Sequence, residues 1–238
     1  MARSMRTDAA AWLLGAVLAA WLGAAPALAA APSYPERAPM SAYQMSRDDE
    51  IALARSAAPP SIGDKAEVMV LGAAGYDVAA KGTNGFVCMV QRSWANEIDN
   101  AEFWNPKVRG PLCFNPAAAR SVMPTYLERT RWVLAGASRA EILRRTRAAI
   151  ASGRIGPPEN GSMSYMLAKG GYLGDGAGGH WHPHLMFFVP RGANGEPPDW
   201  GANLPGSPVL SPGPGHEPSA LYFVPLPKWS DGTPADSM

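Results

Sequence analysis

The sequence predicts a single α+β domain: an antiparallel sheet made of an early meander plus late strands, a central helical segment, and long Pro- and Gly-rich loops. Short apolar runs of strand type lie near both ends of the chain and helix signals lie between them, while Gly and Pro number 25 and 24 among 238 residues. Strands flanking helices in this order suit one sheet shared by early and late strands. The Gly and Pro content demands many turns, and no repeat of fixed period is present.

The chain opens with a secretory signal over residues 1–29. Arg3 and Arg6 form a basic start, residues 9–23 an apolar run, and Ala27-Leu28-Ala29 a small-x-small cleavage site. The run is shorter than the ~20 apolar residues a spanning helix needs, so the mature chain is expected to carry no membrane span. No cysteine stands near the cleavage site and the two arginines are not adjacent, which argues against lipidation and twin-arginine export. Export to the periplasm or the medium, with cleavage near Ala29, is the expectation. Cleavage would take two arginines and one aspartate from 21 basic and 20 acidic residues, leaving 19 of each in 209 residues. Such neutrality gives no long-range pull on nucleic acid, and none is expected as a partner.

Residues 30–45 are Pro- and Ala-rich without periodicity and read as a flexible lead-in to one domain over 46–238. Ser46 looks like a helix cap, with Asp48, Asp49 and Glu50 in the first turn, where the helix dipole favours acids. Pro59-Pro60 is expected to stop that helix. Runs at 66–71, 76–81 and 85–91, separated by Gly-containing turns, form the predicted meander. In the third, Phe86, Cys88 and Val90 share one face and Val87 and Met89 the other. Trp94, Phe103 and Trp104 then supply core aromatics. Asn115-Pro116 opens the helical segment as cap and first-turn proline, and Pro124 should divide it. Ser138 and Glu141 form a capping box for a helix closed by Gly153. Strands at 162–169, 184–190 and 220–225 complete the pattern, with a long loop over 191–218 between the last two.

Cys88 and Cys113 are the two cysteines, both in the exported part, where an oxidising compartment favours a bridge. Closing that loop would stabilise the fold by roughly 3 kcal/mol. The competing reading, a catalytic thiolate, needs a nearby His or helix start, whereas Cys88 lies in an apolar alternating run.

The segment GDGAGGHWHPHLMFFVP, residues 174–190, holds His180, His182 and His184 at alternate positions. Its GxGxxG glycines match a dinucleotide fingerprint only formally, because no helix follows to receive a pyrophosphate. On a straight strand the outer imidazoles would stand about 13 Å apart, so three cannot hold one Zn²⁺ unless the chain bends. Pro183 and the glycines permit a bend. Two of these histidines with His216, Glu217, Asp175 or Asp199 would then form a metal centre able to activate water. Solvated or hydrogen-bonded loop histidines are the alternative. There is no Walker lysine, no G-x-S-x-G and no S-x-x-K. Eight arginines against two glutamates between residues 115 and 154 offer a further possibility, an anion or glycan site around Arg144 and Arg145, unless acids elsewhere offset them.

At Gly82-Thr83-Asn84-Gly85-Phe86-Val87-Cys88, Pro111-Leu112-Cys113-Phe114 and Pro183-His184-Leu185-Met186-Phe187 the chain resembles a group of uncharacterised exported bacterial proteins, from about Ser46 to the last strand. The resemblance implies no activity. The group's pattern includes Pro183-His184 but not His180 and His182. Three readings follow: an exported protein without an evident catalytic constellation, acting in binding or envelope upkeep; a zinc protein or metal-dependent hydrolase using the histidines; and an anion or glycan binder.

Overall fold

The structure is a computed structural model that describes residues 34–176, 181–192, 209–211 and 216–235. Among them eight strands form one mixed sheet, in the order β2-β1-β3-β4-β5-β6-β8-β7. The strands are β1 (Glu67–Leu71), β2 (Tyr76–Ala80), β3 (Val87–Gln91), β4 (Gly110–Phe114), β5 (Met163–Met166), β6 (His184–Pro190), β7 (Val209–Ser211) and β8 (Ser219–Pro225). Helices α1 (Arg47–Arg55) and α2 (Pro60–Gly63) precede them; α3 (Pro116–Ser121), α4 (Met123–Leu134) and α5 (Arg139–Ala151) lie between β4 and β5.

The caps act as local chemistry requires. The Ser46 hydroxyl accepts from the Asp49 amide, the Asn115 side chain from Ala118, and Ser138 from Glu141. Pro124 separates α3 from α4, since its ring cannot continue the α3 ladder. Pro59-Pro60 behaves differently from expectation. Helix α1 has already ended at Arg55, and Pro60 starts α2, its fixed φ suiting a first helical position.

The early strands are not a simple meander. β1 pairs antiparallel with β2 but parallel with β3, so β2 is the edge and the chain returns across the start of β1. The Gly82–Gly85 stretch makes that crossing: the Thr83 amide bonds to the Lys65 carbonyl at 2.8 Å and the Asn84 side chain to the Ile62 carbonyl at 2.9 Å. A Cβ at Gly82 would collide with the Glu67 backbone nitrogen, and Gly85 has φ of +77°, a conformation that costs glycine nothing. β4, hidden in the sequence behind its Gly-Pro start, pairs with β3 throughout but meets β5 only at Cys113 and Phe114. Pro111 therefore stands where β5 makes no pairing that would require its missing N–H.

Alternation assigns the two faces. Cys88, Val90 and Cys113 pack with Val68 and with Ala54 of α1, whereas Met89, Leu112, Phe114, Met166, Met186 and Phe188 pack with α3. Cys88 and Cys113 are register partners joined by a disulfide, the bridge expected of the two cysteines. Trp94, Phe103 and Trp104 are buried with Trp132 and Ile142 in a third cluster. The lead-in, where described, is packed rather than free: Tyr43 is buried against Trp94 at 4.9 Å between centroids, and its hydroxyl donates to the Trp104 carbonyl at 2.8 Å.

One buried ion pair ties these parts together. Arg92 donates to Glu50 at 2.9 Å, with side chains 0 % and 2 % exposed. The other Glu50 oxygen accepts from the Leu71 amide at 3.1 Å, and the Arg92 Nε donates to the Tyr43 carbonyl at 2.7 Å. Removing one partner strands the other charge in the core. Glu50→Ala is expected to cost about 3–5 kcal/mol, measurable as a fall in urea midpoint at unchanged slope, while Glu67→Ala, which loses an exposed pairing with Lys81, is expected to cost less than about 1 kcal/mol.

Candidate functional site

The strongest site is a cleft between α4, the far end of β6 and β8, and the segment before β8. Pro124 begins α4 so that Thr125 and Arg129, four residues apart, present one helical face to it. Phe188 and Leu221 from the sheet and His216, Glu217 and Glu97 from the flanking segments complete the lining. About 70 Å³ is free inside, room for about five waters or a ligand of similarly few heavy atoms.

Arg129 organises this cleft. It is 2 % exposed, and its Nη1 reaches the carbonyls of Trp94, Ala95 and Asn96, the last at 3.1 Å. Its Nη2 donates to the Glu217 carboxylate, while its Nε has no partner among the described residues. A guanidinium offers Nε and Nη2 as a two-point fork for one carboxylate, and Glu217 uses half of it. The Glu217 backbone is held in turn by the Arg191 Nε, at 3.0 Å from its carbonyl oxygen. Burial pushes the Glu97 carboxyl up, with the charges of Asp99 and Glu217 adding to the effect. Burial likewise pushes the Tyr126 hydroxyl up, and its ring packs edge-on against Phe114 at 5.3 Å.

Most of the other arginines between residues 115 and 154 are engaged elsewhere. Arg144 and Arg145 both bond Glu141, each at 2.7 Å, and these bonds, Arg144 first, hold the Glu141 carboxyl down at about 2. The offset to Arg144 and Arg145 thus comes from within α5 itself. Arg120 meets Glu159 at 2.6 Å, Arg131 meets Glu128 at 2.8 Å, and Arg139 covers the Phe103 ring at 4.9 Å. The residue in the arginine-rich stretch that lines the cleft is Arg129. Its place on the apolar side of α4, one turn after Thr125 and one before Trp132 and Val133, was the signal in the sequence.

The histidines do not line one strand. β6 starts at His184, with His182 and Pro183 outside it, and His180 and Asp199 lie outside the described residues. Among the described residues no three His, Cys, Asp or Glu converge as a metal group, so a zinc centre of that kind is not found there. Asp175 is committed to Lys107, Tyr172 and Tyr34, and these bonds hold its carboxyl well below the usual range. His216 lies in the Arg129 cleft. Trp181, between the histidines, is the anchor of the segment, its Nε1 donating to the Ala168 carbonyl at 3.0 Å.

His184 is a core residue, 9 % exposed. Its Nδ1 lies 2.7 Å from the His182 carbonyl oxygen. A carbonyl only accepts, so Nδ1 carries the proton and Nε2 presents a lone pair, which has no partner among the described residues. Burial pushes the His184 pKa below its ordinary 6.5, the His182 carbonyl opposing. No family model matches the chain, and comparisons with curated proteins and with solved structures give no match either.

A histidine with a lowered folded pKa binds more protons when unfolded, so its contribution is complete above pH 6.5 and is lost as pH falls towards the folded value. Stability measured by urea unfolding is expected to decline between pH 7 and 5, and His184→Leu to flatten that part of the profile.

Proposed function

We propose that this is an exported binding protein whose cleft takes a small ligand bearing a carboxylate or similar oxyanion at Arg129. The observation that carries the reading is the buried Arg129 lining the cleft with its Nε unpartnered and its Nη2 held by one residue of a flanking segment. Its Nη1 is committed to backbone carbonyls, so the guanidinium is fixed while its fork edge faces a replaceable carboxylate. The Glu217 side chain is 29 % exposed, so it can leave for solvent when a ligand carboxylate takes both fork positions.

Export is supported by the signal pattern of residues 1–29 and by the Cys88–Cys113 disulfide. No helix among the described residues is long and apolar enough to cross a membrane. The zinc reading has no such group of ligands behind it among the described residues, and Arg144 and Arg145 are occupied by Glu141. The small cleft volume favours ligands of the size of acetate, pyruvate or phosphate over a glycan chain.

Glu217 is an internal competitor on this reading, so removing its charge should help the ligand. Titration of the untagged protein with acetate, pyruvate and phosphate, followed by calorimetry and NMR, is expected to give saturable binding to one of them. Glu217→Gln should tighten it at least fivefold and make the unfolding midpoint of the variant rise with ligand concentration. Absence of saturation by any of the three, together with a Glu217→Gln variant that they do not stabilise, would remove the reading.

A further inference from the structure

At the opposite end of β6 from the Arg129 cleft, His184 leaves a buried lone pair among sulfur and aromatic groups. Met166 is its direct partner across the β5–β6 ladder, and Met186 follows two positions along β6, so all three share one face. That face is the one packed on α3, where Met166 and Met186 are 1 % and 4 % exposed. Rings close the surroundings: Trp181 stands edge-on to the imidazole at 5.6 Å between centroids and Phe223 at 5.1 Å.

We infer that His184 Nε2 and the thioethers of Met166 and Met186 form a site for a soft monovalent cation, Cu(I) in the cell and Ag(I) as its redox-inert analogue. Three considerations select this ligand. A hydrogen bond from Nδ1–H to a backbone carbonyl is the support that metal-binding histidines commonly have, because it fixes the tautomer and orients the other nitrogen. Thioether with imidazole is a soft donor set that suits Cu(I), whereas Zn²⁺ would call for thiolate, carboxylate or further imidazole. Access comes from the end of the sheet, since His184 opens β6 while its two register partners, Met166 and Pro225, close β5 and β8; the partly exposed Trp181 stands beside that end.

The rival occupant is a water molecule. Ser164, also buried with an unpartnered hydroxyl, lies diagonally across the ladder from His184, and a water bridging the two would satisfy both. That water would be indifferent to the thioethers, and the cation would not.

The test is a calorimetric titration of the untagged protein with silver nitrate in chloride-free buffer, which leaves the Cys88–Cys113 disulfide intact because no reductant is needed. One Ag(I) per chain is expected. His184→Leu should abolish that binding, and the Met166→Leu, Met186→Leu double variant, which retains apolar volume, should weaken it at least tenfold with its metal-free unfolding midpoint close to wild type. A His180→Ala, His182→Ala variant should bind like wild type. Absence of stoichiometric binding, full affinity in the double methionine variant, or loss confined to the His180, His182 variant would each overturn the assignment.

Discussion

Two charges taken out of water must recover several kcal/mol each of lost hydration, and the pair of Glu50 and Arg92 does so by leaving none of its principal bonding positions idle. Glu50 comes from α1 and accepts from Arg92 and from the end of β1; Arg92 follows β3 and donates to Glu50, to the Tyr43 carbonyl and to the Val90 carbonyl. Four segments distant in sequence thereby share one small polar centre inside an apolar body. The pair fixes where α1 lies against the sheet and draws residues before Ser46 onto the domain. Arg92 also adds positive charge near Arg109, whose pKa falls to about 10, chiefly through burial and then through that repulsion.

Arg129 presents the same chemistry with one bond missing. Both guanidiniums are buried and both lean on backbone carbonyls and one carboxylate. The carboxylate of Arg92 sits on a helix of the core, whereas that of Arg129 sits on a short segment before β8 and is partly exposed. The methionine-lined face of the sheet connects the two ends of β6, carrying Phe188 towards the Arg129 cleft and His184 towards the sheet margin.

Much of this was legible along the chain. Ser46, Asn115 and Ser138 each bond an amide within three residues, and Phe86, Cys88 and Val90 share a face because strands alternate. These are short-range consequences of side-chain chemistry and backbone period. Strand β4 was not among the expected strands, because a proline at its second position gives no strand signal until the unpaired side of the strand is known. The three alternate histidines do not share a strand, since β6 begins only at the last of them.

The sequence by itself determined the α+β class, the helix starts at their caps and the alternation of the core strands, which follow from chemistry within a few residues, and it left each of the two cysteines a single possible partner. Tertiary structure decided the parallel β1–β3 pairing, the Glu50–Arg92 centre, the Arg129–Glu217 pair and the burial of the His184 imidazole. Each of these depends on groups 20 or more positions apart or on which neighbour is missing. Hydrogen bonding and ion pairing act through space, and a linear pattern records the groups that can bond but not the partners that burial brings to them.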